Sequence, residues 1–175
     1  MTVAADADLE RAAQFAGRVQ LTTLVDAQNE LARVFGYRAI PNGFAFARDG
    51  ALLGSKIPGF DIRDAGSRDL LERWLASGSE VRPISDEPAA EPVTEALDLF
   101  ANGSRLMREG HTTEALAAWA KAFERDPKNF VIRKQIWRAL YPDRFGDPID
   151  LAWQKEQVAR ENEIGFRAAN PALPR

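Results

Sequence analysis

The sequence contains no cysteine and only one histidine, His111. This composition excludes several kinds of catalytic and metal-binding site. Without cysteine the chain can form no disulfide, no thiolate metal site and no thiol nucleophile. His111 offers one metal ligand at most, and no acidic cluster with metal spacing surrounds it in the sequence. We therefore predict no catalytic residue, no metal site and no cofactor in this polypeptide.

Long apolar runs and an excess of one charge are also missing. No stretch of 18 apolar residues occurs, and residues 1–6 lack the charged and apolar regions of a signal peptide. The 23 basic and 26 acidic residues leave a formal net charge of -3, which creates no field to attract nucleic acid or an anionic membrane. We expect a cytoplasmic protein that binds neither nucleic acid nor membranes.

The remaining composition is that of a globular protein, and its pattern changes along the chain. In residues 1–78, strand-like and helix-like segments alternate, which is typical of an α/β fold. Strands are predicted over 2–5, 21–25, 43–47 and 51–57. Helices are predicted near Leu9, after Asp26, which can cap the helix, and from Ser67 to Ala76. Asp49-Gly50 is a hairpin signal between the last two strands. Residues 79–92, rich in proline and acidic residues, are predicted to be a linker.

Five short segments occur in a fixed order along the first region: Val3-Ala4-Ala5-Asp6-Ala7-Asp8, Leu24-Val25-Asp26, Leu31-Ala32-Arg33-Val34-Phe35-Gly36-Tyr37, Ala39-Ile40-Pro41 and Phe46-Ala47-Arg48-Asp49-Gly50. Together they resemble the second half of redoxins, the thioredoxin-like thiol-disulfide oxidoreductases and the alkyl hydroperoxide reductase and thiol-specific antioxidant group. The resemblance implies an incomplete thioredoxin-like α/β domain that lacks the amino-terminal strands and the cysteine-bearing helix. It also implies a cis bond at Pro41 and substrate pairing at the backbone of Ile40, so Ile40 and Pro41 are the candidate substrate-binding residues. Alternatively, Pro41 begins a strand with a trans bond.

Two departures from the redoxin pattern change what the resemblance implies. Asn42-Gly43 follows the proline, where the family usually has threonine, and the central strand and the nucleophilic cysteine are both absent from the chain. Loss of a central strand exposes two sheet edges, which invite another strand. Three outcomes are open: pairing within the chain, edge pairing between two copies, or a native start upstream of Met1. We favour the last.

Residues 93–175 have a helical pattern throughout, with a break at 108–111. Seven residues fall at the spacings of one tetratricopeptide-type repeat, in which small residues let two helices approach and a proline ends the second: Gly103, Leu106, Gly110, Ala115, Trp119, Ala122 and Pro127. The alternative is a plain helical hairpin with coincidental spacing. Asn129 is predicted to cap a third helix through Leu140, and Asp147-Pro148 to begin a fourth through about Glu163. The four helices would form a small bundle.

Aromatic and basic side chains of this second region have two interpretations each. Trp119, Trp137 and Trp153 form either a peptide groove or, as we prefer, part of the core. Arg133, Lys134, Arg138 and Arg144 either clamp a carboxylate or, as we prefer, form a solvated basic face.

Two functions fit these patterns. The first is the cysteine-free portion of a redoxin-family oxidoreductase, either of the thiol-disulfide or of the peroxiredoxin-like type, which is inactive as given. The second is a non-catalytic interaction module that binds a protein partner, for which the resemblance suggests a thiol protein. Self-association through open sheet edges is a further expectation.

Overall fold

A computed structural model describes residues 2–4, 10, 13–14, 17, 23–26, 30–40, 44–46, 49–50, 52–55, 64–77, 93–146 and 148–174. Its internal contacts divide the chain into two units. One unit consists of Met1–Val34 and Val93–Arg175, and the other of Phe35–Pro92. The predicted linker over residues 79–92 lies outside the described residues, and the domain boundary at residue 78 stays a prediction.

Four short strands form where the sequence pattern predicts strands. Strand β1 (Thr2–Ala4) pairs in parallel with β2 (Thr23–Val25). Strand β3 (Phe44–Phe46) pairs antiparallel with β4 (Leu52–Ser55), so the predicted hairpin is confirmed. At its turn Gly50 has a φ of 88°, a conformation that favours glycine.

Two helices lie between and after these strands. Helix α1 (Glu30–Phe35) follows Asp26, whose carboxylate accepts the Glu30 N–H at 2.8 Å. This bond confirms the predicted cap. Gly36 has a φ of 61° directly after α1, which is the left-handed conformation common at helix ends. Helix α2 (Ala65–Ser77) covers the segment that the pattern marked as helical.

The predicted α/β thioredoxin-like fold is wrong. The described part of the chain is mostly helical, and its strands form two separate two-stranded sheets instead of one. A thioredoxin-like sheet needs a central strand to join the strand at Val3 to the hairpin at Asp49, and the structure describes no such strand. Isolated strand pairs of this size are marginally stable. Local strand propensity therefore accounts for two strand pairs, but it does not give the single continuous sheet that a thioredoxin-like fold requires.

The predicted helical bundle of the second region is confirmed. Its elements are α3 (Thr94–Arg108), α4 (Thr112–Arg125), α5 (Phe130–Leu140), a 3₁₀ helix (Pro142–Phe145), α6 (Leu151–Ile164) and α7 (Phe166–Ala169). The sequence pattern indicated the first four α-helices but neither the 3₁₀ helix nor α7. None of the helices in the described ranges is long and apolar enough to cross a membrane.

Helices α3 and α4 approach most closely at Gly103. A Cβ atom on Gly103 would overlap the Trp119 indole ring and lie 3.0 Å from the carbonyl oxygen of Ala115. The indole itself is buried, and its Nε1–H donates to the carbonyl oxygen of Phe100 at 3.1 Å. The expectation that glycine at this position permits close packing of the hairpin is confirmed.

The starts of α5 and α6 differ in how well the sequence predicted them. Asn129 Oδ1 accepts the N–H of Ile132 at 3.2 Å, which confirms the predicted cap of α5. Helix α6 begins later than predicted, because Asp150 caps it by accepting the Trp153 N–H at 2.9 Å. Asp150 also pairs with Arg144 at 3.0 Å. Asp150 is thus the N-cap of α6, whereas the predicted start at Asp147 lies outside the described residues.

The bundle core contains two of the three tryptophans assigned to it. Trp119 and Trp137 are fully buried, and Trp153 is half-buried with its ring edge towards Trp137 at a centroid distance of 5.5 Å. The preferred interpretation of Trp119 and Trp137 as core residues is confirmed.

Candidate functional site

Helix α6 presents polar side chains to the interior of the bundle. Gln154, Gln157 and Glu161 all lie on its buried side. Burying a polar side chain away from water costs free energy unless the side chain is hydrogen-bonded. The cost is roughly 2–7 kcal/mol for a neutral group such as an amide and is larger for a carboxylate. These side chains therefore need partners on the neighbouring helices.

Glu161 is the centre of this arrangement, and its Oε1 atom accepts from three residues. Trp137 Nε1 on α5 donates at 2.6 Å, Asn170 Nδ2 after α7 at 2.9 Å and Gln157 Nε2 at 3.5 Å. Gln157 Nε2 also donates to Asn170 Oδ1 at 3.0 Å. We call Arg133, Trp137, Gln157, Glu161 and Asn170 the polar core.

Arg133 on α5 supplies the positive charge of the polar core. Its Nε atom lies 3.2 Å from Glu161 Oε2, and the side chains are only 10% and 2% exposed, respectively. The contact has the distance of an ion pair without the alignment of a hydrogen bond. The guanidinium group also lies 4.7 Å from the ring centroid of Phe130 and 4.9 Å from that of Phe123, which is cation–π geometry.

The charge of Arg133 survives this burial. Burial lowers the pKa of Arg133, while the negative charge of Glu161 raises it. Guanidinium groups remain protonated in proteins even when their environment is unfavourable. Arg133 therefore neutralises a carboxylate of its own chain, and it does not belong to the solvated basic face that we preferred from the sequence.

The polar core joins neighbouring helices through side-chain contacts. Every hydrogen bond of Glu161 Oε1 comes from a fixed side chain, so this atom is already occupied. Within the described ranges, no three histidine, cysteine, aspartate or glutamate side chains lie close enough together to hold a metal ion. The arrangement ties α5, α6 and the chain after α7 together through one buried charge.

The residues after α6 complete this site. We call Phe166–Pro174 the C-terminal segment. The Phe166 ring stacks on Phe123 of α4 with a centroid distance of 3.9 Å and an interplanar angle of 30°. Arg167 Nε donates to Glu124 Oε1 at 2.6 Å, and Leu173 is buried. The segment thus contacts α4 through Phe166 and Arg167 and reaches Glu161 through Asn170.

A second feature of the bundle is an aromatic cluster around Trp153, at the turn between α5 and α6. The rings of Tyr141 and Phe145 lie 5.2 and 6.3 Å from the Trp153 ring, and the Arg144 guanidinium lies 6.0 Å from it. We call residues 141–146 and 148–153, which hold this cluster, the aromatic corner. Two large aliphatic side chains in it face solvent: Ile149, 45% exposed, and Leu151, 68% exposed.

The residues that the sequence predicted for substrate binding are described only in part. Ile40 lies at a bend and is 40% exposed, whereas Pro41 lies outside the described residues, so its peptide geometry stays a prediction. His111 is exposed and immediately precedes α4, where its side chain makes no capping hydrogen bond.

Sequence reasoning missed the polar core because hydropathy patterns mark only apolar faces. The apolar residues of α6 do not gather on one face, and the spacing of Gln154, Gln157 and Glu161 was the signal that could have revealed a polar interior. Asn170 follows a four-residue helix that has no periodic pattern to detect.

The fold and the polar core define this chain only as a small helical-bundle protein. Comparison with known protein families, with curated proteins and with solved structures finds no match to the chain.

Proposed function

We propose that this chain is a non-catalytic protein-binding module, and that its partner docks on the aromatic corner. The observation that carries the proposal is the exposure of Ile149 and Leu151 beside the Trp153 cluster. An exposed aliphatic pair next to tryptophan, tyrosine and arginine has the composition of an interaction hot spot. We also propose, from composition alone, that the module works in the cytoplasm.

The α3/α4 hairpin supports the choice of a binding module. Its seven matching positions and the close contact at Gly103 are those of a tetratricopeptide-like repeat, a scaffold whose stacked helices present surfaces to other proteins. A single repeat cannot bury its apolar face alone, and α5 and α6 extend the helical array. We propose that the α3/α4 hairpin is a tetratricopeptide-like repeat.

Two contacts of Asp150 hold the backbone of the aromatic corner beside Ile149. Arg144 pairs with Asp150 at 3.0 Å, and Asp150 caps α6, so the turn that carries Ile149 is fastened at both sides. A preorganised surface loses less side-chain entropy on binding, by about 0.5–1.5 kcal/mol for each side chain that is already fixed. The fixed corner therefore favours binding of an apolar partner surface.

The experiment compares two exposed aliphatic residues at opposite ends of α6. Leu151 belongs to the aromatic corner, whereas Ile164, 48% exposed, lies at the far end of the helix. The tagged chain and the variants Leu151→Ser and Ile164→Ser are used for affinity capture with quantitative mass spectrometry. We expect the proteins bound by the native chain to be lost with Leu151→Ser and retained with Ile164→Ser.

Two results would count against the proposal. The proposal is contradicted if the native chain retains no protein above the level of a bead control. A set of bound proteins that is the same for Leu151→Ser and for the native chain shows that the docking surface lies elsewhere.

Self-association is a second candidate, and the exposure of strand β2 favours it. Leu24 and Val25 are consecutive in β2, and both are exposed although successive strand side chains point to opposite faces. Among the described residues β2 pairs only with β1, and a strand edge left open in this way can accept another strand. Light scattering tests this: Leu24→Lys should abolish a dimer, and Val34→Lys, an equally apolar exposed site on α1, should not. An unchanged mass for Leu24→Lys rejects this candidate.

The redoxin resemblance stays a prediction, as does the interpretation of this chain as the cysteine-free portion of a redoxin-family oxidoreductase. Since the thioredoxin-like fold is wrong, we do not extend it to a reductase or peroxidase activity of this chain.

A further inference from the structure

The C-terminal segment contacts the rest of the bundle through three different side chains. The Phe166 ring packs on the Phe123 ring. Arg167 donates a hydrogen bond to the Glu124 carboxylate, and Asn170 donates one to Glu161. A stack, an ion pair and a buried amide contact thus recognise three different side chains. The surface formed by α4 and the polar core is therefore specific for the sequence of this segment.

A single residue connects this segment to α6. Gly165 separates α6 from α7, and its φ of 88° and ψ of 151° fall in a region that is nearly exclusive to glycine. No side-chain Cβ is present to resist rotation there. Gly165 is therefore the position at which a change of backbone angles would move the whole segment relative to α6.

Separation of the C-terminal segment from α4 and the polar core costs free energy. Without the segment, Glu161 loses the Asn170 donor at 2.9 Å and Phe123 loses its stacking partner. A buried carboxylate that loses a hydrogen bond is strongly destabilised. An opened chain therefore gains from any segment with the same side chains, and a second copy of the chain carries such a segment.

We propose that two copies of this chain exchange their C-terminal segments, so that Phe166–Pro174 of one copy docks on α4 and the polar core of the other. Gly165 is the hinge of the exchange. Each copy then makes the contacts seen within one chain, in the manner of a domain-swapped dimer. The proposal is independent of the aromatic corner and of strand β2, because it uses neither surface.

The absence of cysteine allows a direct test. Two single-cysteine variants, Glu124→Cys and Arg167→Cys, replace the partners of an exposed ion pair whose atoms are 2.6 Å apart. They are purified separately, mixed at rising protein concentration, warmed to permit opening and treated with a short bismaleimide. Because each chain has one cysteine, a Glu124→Cys/Arg167→Cys crosslink forms efficiently only when the segment of one copy docks on the other.

The control pair combines Arg167→Cys with Glu114→Cys, an exposed position on the same helix, about 15 Å along its axis from Glu124 at 1.5 Å per residue. We expect at least fivefold more crosslinked dimer from the Glu124→Cys pair than from the control pair, with a yield that rises with concentration. Gly165→Ala in both chains should raise the yield further, because alanine disfavours the closed hinge.

Equal yields from the two cysteine pairs, at every concentration and with the native Gly165, overturn the proposal. This comparison decides the outcome even if Gly165→Ala fails to fold, which circular dichroism would reveal. Adding Leu24→Lys to both chains separates the exchange from strand pairing, because it should leave this crosslink unchanged.

Discussion

The Trp137 indole donates its N–H to the buried carboxylate of Glu161 at 2.6 Å, across the interface between α5 and α6. The bond uses the one polar atom of a side chain that is otherwise part of the apolar core. Charge-assisted hydrogen bonds of this kind are roughly twice as strong as those between neutral groups. The contact between α5 and α6 therefore depends on the side chain of one glutamate.

Glu161→Gln should destabilise the bundle by about 3–5 kcal/mol, because it leaves the buried Arg133 charge without a counterion. Urea unfolding followed by circular dichroism measures the loss. Glu163→Gln, an exposed change on the same helix, should stay within about 0.5 kcal/mol of the native chain.

The double variant Arg133→Met/Glu161→Gln provides the internal check on this explanation. Removing both charges should recover much of the loss, since neither group is then left buried and unpaired. Additive losses in the double variant, or a loss below about 1 kcal/mol for Glu161→Gln alone, would contradict the role of the pair.

Gly103→Ala should destabilise the α3/α4 hairpin by about 1–3 kcal/mol, because the new methyl group meets the Trp119 ring in a packed interface. Thermal unfolding measures this. Gly146→Ala is the matched control: a Cβ there meets open space, and its φ of -69° suits alanine. A thermal unfolding midpoint for Gly103→Ala equal to that of the native chain would show that α3 and α4 can move apart without loss of stability.

Lowering the pH should weaken the start of α6 through Asp150. The Trp153 N–H, followed by other contacts that include Arg144, holds the pKa of Asp150 below its ordinary value. A carboxyl with a depressed folded-state pKa stabilises the fold above its unfolded pKa, and that contribution disappears as the pH falls through the folded value.

Asp150→Asn keeps an oxygen acceptor for the cap but does not titrate. The stability difference between the native chain and Asp150→Asn, measured by urea unfolding from pH 7 to pH 3, should therefore shrink towards the acid end. NMR titration of the Asp150 carboxyl carbon should place its midpoint below that of an ordinary aspartate. A midpoint at or above the ordinary value would contradict the assigned contacts.

Purified chain should not catalyse reduction of insulin by dithiothreitol, because thiol-disulfide exchange requires a thiolate and the sequence has no cysteine. Turbidity from the precipitating insulin chain reports the reaction, and a thioredoxin serves as the positive control. A rate above that of dithiothreitol alone would refute our statement that this polypeptide lacks redox chemistry.

Local signals in the sequence were reliable where a few neighbouring residues decide the structure. The caps at Asp26 and Asn129, the hairpin at Gly50 and the glycine contact at Gly103 all depend on short spacings, and the structure confirms them. The thioredoxin-like sheet failed because it requires pairing between distant strands, which strand propensity does not determine.

The polar core could not be predicted for a related reason. Arg133 and Glu161 are distant in sequence, and charged residues are normally assigned to the surface. Only their packing among Phe123, Phe130 and Trp137 shows that each makes the other's burial tolerable. In contrast, the core positions of Trp119 and Trp137 follow from composition and helical spacing alone.

The position of Asn170 has a consequence for the order of events on the ribosome. Asn170 is nine residues beyond Glu161, so at about 5–20 residues per second its amide emerges roughly half a second to two seconds after the carboxylate that needs it. At the start of that interval α3 to α5 are already synthesised, but Glu161 lacks one of its donors. The bundle therefore reaches its final packing only after the C-terminal segment has been synthesised.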